Sequence, residues 1–400
     1  MTVLVVNCGS SSLKYEVVDA VSGTSMVTGL VERIGLTDGR ITHTTPGREW
    51  TEERSVPDHR AAMEAMAGAF AAHGPDLAAA GLVGVGHRVV QGGALFGRPV
   101  VVDDEILATI EDLAELAPLH NPANAAGIRL ARETFPGLPH VAVFDTAFHV
   151  TMPERARTYA MDREVAERHR IRRYGFHGTS HAYVSREAVR LLGTPAETTN
   201  VIVLHLGNGA SACAVEGGRS VDTSMGMTPL EGLVMGTRTG DVDPAIVFHL
   251  ARVAGMTIDE IDTLFNTRSG VLGLCGRSDM RDLVGAAEDG DEAAELALDV
   301  YCYRIRKYVG AYLAALGRVD AVVFTAGVGE NSPAVRERTL RGLEGLGIEL
   351  DMAANAAPST GPRDVASAGS RIRVLVIPTD EELEIARQTL ALVTTGETGD

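Results

Sequence analysis

The sequence predicts an α/β fold with mixed sheets, built from two related domains. Short apolar runs alternate with segments of helical periodicity along the 400 residues, which is the pattern of strands alternating with helices. The runs 3–6 and 13–18 are separated only by a Gly/Ser turn, so they predict a β-hairpin. A second strand, Asn/Gly/Ser turn and strand follow at 203–211. This repetition predicts two related domains, each of which offers a turn to a shared cleft.

The remaining elements follow from apolar runs and from helix start signals. Asp103 and Asp104 can cap a helix, and Asn121 reads as an N-cap with Pro122 at the first helical position. The longest helix is expected at 292–316, because apolar residues recur there at steps of three and four. Further strands are expected at 83–90, 141–144, 201–206, 319–325 and 372–377.

The composition excludes several classes of protein. Hydrophobic residues make up 45% of the chain and charged residues 22%, which excludes a disordered or fibrous protein. With 53 acidic and 36 basic residues, the chain has a formal net charge of -17 and lacks the basic footprint of a nucleic-acid-binding protein. Recognition of an anionic substrate would therefore need positive charge concentrated at one place.

The cysteine spacing and the length of the apolar segments indicate the cellular compartment of the protein. Cys8, Cys213, Cys275 and Cys302 have no C-x-x-C spacing, so neither a zinc site nor a disulfide framework is expected. The N-terminus lacks the pattern of a signal peptide, and no window has the length of a membrane span. We therefore expect a cytoplasmic protein that binds no membrane.

Three glycine-containing turns at the ends of predicted strands favour a nucleotide. They are NCGSSSLK at 7–14, HLGNG at 205–209 and FTAGVGEN at 324–331. Backbone N–H groups and hydroxyls suit phosphate oxygens, and Lys14 is one of only two lysines among the 36 basic residues. Neither a Walker A loop nor a dinucleotide fingerprint is present. Each turn alone could be structural, but three together favour nucleotide binding.

Arg88 in GHRVVQGG and Arg238 in MGTRTGDVDP each lie among glycines. An arginine fork binds a carboxylate or phosphate with two hydrogen bonds, whereas the simpler alternative for either residue is a salt bridge that closes a loop. His177, in RRYGFHGTSH, lies beside a glycine and an aromatic residue, which favours a functional histidine over a structural one.

Three carboxylates lie where a strand ends or a helix begins. Asp145 follows a β-run and can face a cleft or cap a helix. Glu381 and Glu382 follow the last strand. They can complement a helix dipole, or hold Mg²⁺, which takes only one or two protein carboxylates.

These segments, together with FDTAFH, SGVLGLCGRSDMRD and IPTDEELEIA, resemble the successive motifs of the acetate kinase family in the family's order, from residue 3 to about residue 387. The resemblance implies two duplicated RNase H-like domains of the actin-like ATPase superfamily, with a nucleotide cleft between them. The expected ranges are 1–150 plus 383–400 and 151–382, with hinges near 146–152 and 380–386. A homodimer is also implied.

The resemblance implies a role for each matching residue. Asn7 and Glu381 would bind Mg²⁺, for which Mn²⁺ can substitute, although the register between Glu381 and Glu382 stays open. Arg88 would bind the acetate carboxylate. The apolar pocket for the acetate methyl group would comprise Val90, Leu119, Phe176 and Pro229. The catalytic residues would be Asp145, His177 and Arg238. The nucleotide would contact Ser10, Ser12, Lys14, His205, Leu206, Gly207, Asn208, Gly209, Asp279, Met280, Arg281, Gly327, Val328, Gly329, Glu330 and Asn331.

The implied reaction is reversible, Mg²⁺-dependent, in-line phosphoryl transfer from ATP to acetate, giving acetyl phosphate and ADP. Asp145 could act as a base, orient Arg88 or bind Mg²⁺ through water. The first alternative is a propionate kinase of the same family, against which Val90 favours acetate. The others are a nucleotide-driven conformational binding protein and, third, a sugar kinase.

Overall fold

The structure is a computed structural model that describes residues 1–77 and 79–395. Contacts within the chain define two compact units: Met1–Val150 with the segment that begins at Asp380, and Thr151–Thr379. The expected division placed the second crossing between residues 382 and 383. Within the described ranges, no helix is both long and apolar enough to cross a membrane.

Groups of strands and groups of helices follow one another along the chain. The strands are β1 (Thr2–Cys8), β2 (Ser12–Asp19), β3 (Thr24–Glu32), β4 (Leu36–Thr45), β5 (Arg48–Val56), β6 (Leu82–Val89), β7 (Val100–Val101), β8 (His140–Phe144), β9 (Asn200–Leu206), β10 (Ala210–Glu216), β11 (Arg219–Thr223), β12 (Ala321–Thr325), β13 (Arg363–Asp364) and β14 (Arg373–Val376). The helices are α1 (His59–His73), α2 (Asp104–Asp112), α3 (Asn121–Thr134), α4 (Glu154–Arg157), α5 (Arg163–Arg168), α6 (Gly178–Leu192), α7 (Ala245–His249), α8 (Ile258–Thr267), α9 (Gly270–Cys275), α10 (Met280–Glu288), α11 (Glu292–Leu316), α12 (Ala326–Asn331), α13 (Pro333–Leu340), α14 (Met352–Ala356) and α15 (Glu381–Thr395).

Each unit contains one mixed sheet, and the two sheets share a topology. The strand order of the first is β5-β4-β3-β2-β1-β6-β8-β7, and that of the second is β11-β10-β9-β12-β14-β13. In each sheet a first strand, β1 or β9, begins an antiparallel meander on one side. On its other side, two strands follow in parallel, β6 and β8 or β12 and β14. The α/β class with two duplicated domains is confirmed.

Burial explains why the apolar runs form the central strands. Val3, Leu4, Val5 and Val6 of β1 are at most 1% exposed, and in β9 every residue is buried. Such strands, covered on both faces, appear in the sequence as continuous apolar runs. The hairpin partner of β1 begins one turn later, and the pairing ends at Cys8 opposite Leu13. The predicted hairpin is therefore present.

The antiparallel strands β3 to β5 were not predicted. In β5 only Val56 is buried, and the other residues are exposed or half-buried, so the strand shows no apolar run. The strand is held at the edge of the sheet by its pairing with β4 and by contacts with α1. Such tertiary contacts can form a strand where the local sequence gives no strong β signal.

Two local predictions differ from the structure in detail. The N-cap of α3 is His120 rather than Asn121, because the Asn121 side chain turns inward and bonds the backbone of Gln91 and Ile110 instead of capping the helix. The glycine-containing part of FTAGVGEN, expected as a loop, forms the short helix α12, while its first two residues end β12. The longest helix, Glu292–Leu316, was predicted correctly.

Candidate functional site

In the first unit, Arg88 and Asp145 form a bidentate ion pair at the ends of two neighbouring parallel strands. Arg88 lies on β6, and Asp145 follows β8. Arg88 Nε donates to Asp145 Oδ1 at 3.0 Å, and Nη2 donates to Oδ2 at 2.7 Å. Asp145 is 1% exposed, so this pair is formed away from water. Paired N–H donors of this geometry fix a guanidinium in one orientation.

Glu381 contacts the same arginine from the first turn of α15. Its Oε2 lies 3.4 Å from Arg88 Nη1. Burial alone would lower the pKa of Arg88, but the Asp145 and Glu381 carboxylates raise it above its ordinary value. Burial raises the pKa of Glu381, although the Arg88 cation opposes that shift. Arg88 is thus a permanent cation held between two carboxylates.

Glu382, the next residue, has a different partner. Its Oε1 lies 2.5 Å from Lys14 Nζ on β2. Burial alone would lower the pKa of Lys14, but the neighbouring Glu382 carboxylate raises it above its ordinary value. Asn7 is paired with Lys14 across the β1–β2 hairpin, which places the amide and the ammonium on adjacent strands. Ser10 is exposed at the turn of this hairpin, and Ser12 is half-buried.

The oxygen donors near this hairpin fit a hydrated Mg²⁺. Glu381 Oε1 is buried, and the described residues give it no hydrogen-bond partner. A buried carboxylate oxygen without a partner is costly, and a hard cation satisfies it well. Residues 1–77 and 79–395 contain no cluster of three or more His, Cys, Asp or Glu side chains that could hold a metal ion. Such clusters are not required, because Mg²⁺ keeps several waters.

Two of the residues expected in the apolar pocket belong to this unit. Val90 is half-buried, and its backbone N–H donates to Asn124 Oδ1 at 3.0 Å. Leu119 is 60% exposed in the turn before α3. The other two, Phe176 and Pro229, belong to the second unit, where Phe176 is 1% exposed and Pro229 is half-buried. Their assignment to one pocket stays a prediction.

Asn124 is a residue that sequence reasoning missed. Its Nδ2 donates to the carbonyl oxygen of Cys8 at 2.7 Å, while its Oδ1 accepts from Val90. The side chain therefore joins the end of β1 to the segment after Arg88. Gly127, one turn further along α3, allows this approach, because a Cβ there would overlap the Cys8 side chain. Two asparagines in the first turn of the helix, ahead of a run of small and apolar residues, were the available signal.

In the second unit, His177 and His205 stack on each other. Their ring centroids are 4.2 Å apart. The Nδ1 atom of His177 lies 2.9 Å from Ser211 Oγ, and that of His205 lies 2.7 Å from Ser180 Oγ. His177 precedes α6 with a φ of 58°, a left-handed conformation that is uncommon for residues other than glycine. Such strain tends to occur where a ring must be aimed at a site.

Arg238 is a half-buried cation next to these rings. Its Nη1 donates to the Pro229 carbonyl oxygen at 3.3 Å, and no carboxylate of the described chain forms an ion pair with it. Burial lowers the pKa of Arg238. A Cβ placed on Gly209 would lie 3.6 Å from the His177 ring and 3.8 Å from Arg238 Nη1. At Gly209 there is therefore room for a group about the size of a methyl between the His177 ring and Arg238.

A cavity of about 700 Å³ adjoins this turn. Its size suits a nucleoside, since small-molecule sites range over roughly 300–1,000 Å³. Asp279 caps α10 and forms a bidentate pair with Arg281, at 3.0 and 2.6 Å. Of the residues expected at the nucleotide, the lining includes Gly207, Asn208, Asp279, Met280, Arg281, Gly327, Val328 and Asn331. The residues that were not expected are Val284, Gly285, Glu288, Ser332, Pro333 and Ala334.

Three further residues expected at the nucleotide, Leu206, Gly329 and Glu330, belong to the same unit but are not among the residues that line this cavity. Leu206 is fully buried in β9, and Gly329 is buried in α12. Glu330 Oε1 accepts from the Thr379 backbone N–H at 3.2 Å, and burial raises the pKa of Glu330. Their contact with a nucleotide stays a prediction.

The comparisons with known proteins agree with this arrangement. A sequence model of the acetokinase family matches residues 2–387. An acetate kinase of Clavibacter michiganensis subsp. michiganensis is 61% identical over 389 residues, which is 97% of this chain and 98% of that protein. The Porphyromonas gingivalis acetate kinase structure has a TM-score of 0.93 and 43% identity, covering 98% of this chain and 99% of that one. A propionate kinase structure from Francisella tularensis subsp. tularensis SCHU S4 has a TM-score of 0.92 and 40% identity, with the same coverage. Since these matches span nearly the whole chain, it belongs to the acetokinase family.

Proposed function

We propose that this chain catalyses the reversible transfer of the γ-phosphoryl group of ATP to acetate, which gives acetyl phosphate and ADP. The observation that carries the proposal is Arg238, a half-buried cation without a carboxylate partner in the described chain, beside His177 and Gly209 of the turn 207–209. Gly207 and Asn208 also line the nucleoside-sized cavity. A phosphate group held by Arg238 could therefore belong to the same molecule as a nucleoside in that cavity.

The chemistry requires little beyond positioning and charge neutralisation. An acetate oxygen attacks the γ-phosphorus, the new O–P bond forms, and the bond to the bridging oxygen of ADP breaks. An ionised carboxylate is already a nucleophile, so no general base is needed. Arg238 and His177 would neutralise the charge of the transferring group, as preorganised donors do in phosphoryl transfer. Lys14 would contact the phosphates.

Arg88 would hold the carboxylate of the acceptor. Its Nε and Nη2 atoms are bonded to Asp145, so the Nη1 side, which Glu381 approaches at 3.4 Å, is the part of the fork available to a second carboxylate. Both Asp145 oxygens accept from the guanidinium. Among the three roles open to Asp145, we therefore favour the orientation of Arg88 over proton abstraction.

The metal would be Mg²⁺, with Mn²⁺ able to replace it, held by Asn7 and Glu381. The buried Glu381 Oε1, which lacks a hydrogen-bond partner in the described chain, supports this choice. Glu382 is engaged with Lys14, which makes it the weaker candidate. When bound, the metal supplies charge neutralisation to the phosphate oxygens.

A propionate kinase is the closest alternative, because one of the similar structures is a propionate kinase. One extra methylene in an apolar pocket changes specificity by only roughly 10–200-fold. Val90 favours acetate, and we propose acetate as the preferred acceptor. Measuring kcat/KM for acetate, propionate and butyrate tests this preference. A higher value for propionate would contradict it.

We further propose that the protein is a cytoplasmic homodimer. The segment 245–254 presents apolar side chains to solvent, with Phe248 57% and Val253 72% exposed. Exposed apolar residues grouped on one segment are typical of a protein interface. Light scattering after size-exclusion chromatography should give twice the chain mass of 42.2 kDa. A monomeric mass at micromolar concentration would contradict the dimer.

The direct test of the activity is a hydroxamate assay for acetyl phosphate, run with ATP and Mg²⁺ in the presence and absence of acetate. We expect acyl hydroxamate only when acetate is present. ATP binding or hydrolysis without hydroxamate would instead favour a nucleotide-driven binding protein. A sugar kinase would phosphorylate a hexose and leave acetate unchanged.

A further inference from the structure

Arg336, on α13, is a fully buried cation without a counter-ion. Its side chain is 0% exposed, and no carboxylate in the described part of the chain forms an ion pair with it. Burial lowers the pKa of Arg336 to about 10, and the nearby Arg363 cation adds to that shift. Burying an unpaired charge is costly unless hydrogen bonds satisfy it. Such a residue needs a structural or functional reason.

The hydrogen bonds of Arg336 all end on neutral oxygen atoms of two segments. Nη1 donates to the carbonyl oxygens of Gly329 and Glu330, at 2.9 and 3.0 Å. Nε donates to Asn355 Oδ1 and Nη2 to the Asn355 carbonyl oxygen, both at 2.7 Å. The guanidinium therefore joins the C-terminal end of α12 to α14.

Helix α12 contributes three of the residues that line the nucleoside-sized cavity. Gly327, Val328 and Asn331 all face that cavity, and Arg336 is not among its lining residues. Arg336 therefore contacts the peptide groups that carry the lining residues without reaching the cavity. Its side-chain bonds end on α12 and on Asn355, so an effect on a bound nucleotide that depends on the guanidinium would pass through α12, while the first residues of its own helix, Pro333 and Ala334, also line the cavity.

Helix α12 has little stability of its own. It has only six residues, and no side chain caps its N-terminus. Its first residue, Ala326, has a φ of 64°, which is unfavourable for a residue with a Cβ. The last carbonyl groups of a helix have no partner within it, and a helix this short is unstable in isolation. The Arg336 fork satisfies two of those carbonyls and thereby fixes the end of the helix.

We propose that Arg336 is a positioning residue for the nucleotide, which acts by holding α12 in the conformation that forms the cavity wall. The inference rests on the proposed function, because it takes the cavity to be the nucleoside site. A lysine cannot replace it, since one ammonium cannot reach two carbonyls of α12 and two oxygens of Asn355 in a fixed plane. The guanidinium geometry, not the charge alone, carries the effect.

The test compares Arg336→Lys and Arg336→Met with Arg338→Lys as a matched control. Arg338 lies on the same helix but pairs with Glu295 and Asp299 instead of α12. For each variant we would measure kcat, KM for ATP, KM for acetate, the Kd of ADP by calorimetry, and the thermal midpoint. Since the variant loses hydrogen bonds that a charged group makes to α12, we expect the KM for ATP and the Kd of ADP to rise about tenfold or more in Arg336→Lys. The KM for acetate should stay within about twofold, and Arg338→Lys should match the wild type.

An ADP affinity equal to that of the wild type in a folded Arg336→Lys protein would overturn the inference. So would a loss of kcat alone, in proportion to the unfolded fraction, because that is the signature of a purely structural residue. If Arg336→Met does not fold, Asn355→Ala replaces it. That variant removes one acceptor and should give a smaller rise in the ADP Kd; an unchanged Kd counts against the inference. ADP binding needs no acetate, so a wild type that binds ADP but forms no acetyl phosphate would refute the proposed reaction alone.

Discussion

Replacing Gly209 by alanine should abolish most turnover while leaving the fold intact. The added Cβ would lie 3.6 Å from the His177 ring and 3.8 Å from Arg238 Nη1, both ordinary van der Waals distances. No contact in the protein is therefore strained. The methyl group would, however, occupy the space that a phosphate oxygen needs in order to contact both side chains.

The expected magnitude follows from the loss of those contacts. Removing one preorganised donor from a developing oxyanion typically costs about 10²–10³ in kcat, or roughly 2.7–4 kcal/mol. We expect a loss of at least this size for Gly209→Ala, because the methyl group stands between the phosphate and two donors. The assay is steady-state kinetics by the hydroxamate method, together with a thermal melt of each protein.

Gly310→Ala is the matched control. Gly310 lies within α11, and a Cβ there would contact nothing within 4 Å. The control should retain full activity and gain about 0.5–1 kcal/mol of stability, because glycine is unfavourable inside a helix. Near-normal turnover in a folded Gly209→Ala protein would refute the placement of phosphate between His177 and Arg238.

The other predictions concern the cations and the buried histidines. Arg238→Ala should lower kcat by about 10²–10³ with a much smaller change in the Kd of ATP, and near-normal turnover would refute its role. Asp145→Asn should raise the KM for acetate roughly tenfold or more, because Arg88 loses an ionic partner. The pH–rate profile should keep its shape, and the loss of one ionisation from that profile would instead indicate that Asp145 is a base. His87 Nε2 lies 2.9 Å from His140 Nδ1 in the core, and burial lowers the pKa of both rings. The contribution of the two neutral rings to stability should be complete above the unfolded pKa of about 6.5 and should decline as the pH falls below it. Urea unfolding at pH values from 7 to 5 should therefore show a decreasing free energy of unfolding. The decrease with pH should be smaller in His87→Gln.

Sequence patterns predicted the parts of the fold whose signal is local. The strands of buried apolar residues, the β1–β2 hairpin and helix α11 each carry their pattern within a few adjacent residues. Strand β5 carries no such pattern, because only its last residue, Val56, is buried, and its pairing depends on the neighbouring strand β4. The glycine turns were noticed for a similar reason, since the groups that we propose to bind a phosphate are contiguous in the chain.

Residues that act through distant partners could not be predicted. Asn124 bonds the carbonyl group of Cys8, which is 116 positions away in the chain. Arg336 has no motif of its own, and only its position beneath α12 distinguishes it from 33 other arginines. The difference between Glu381 and Glu382 also depends on tertiary contacts, because Arg88 and Lys14 come from different strands. The contacts of these side chains can be recognised only in the three-dimensional structure, where residues distant in the sequence lie together.

The most direct test of the account is a ³¹P NMR time course with ATP, Mg²⁺, acetate and the purified protein. We expect the signal of acetyl phosphate to grow in step with that of ADP. In a separate sample, ADP and acetyl phosphate should give ATP. Formation of inorganic phosphate alongside ADP, with no acetyl phosphate at any time, would contradict the account.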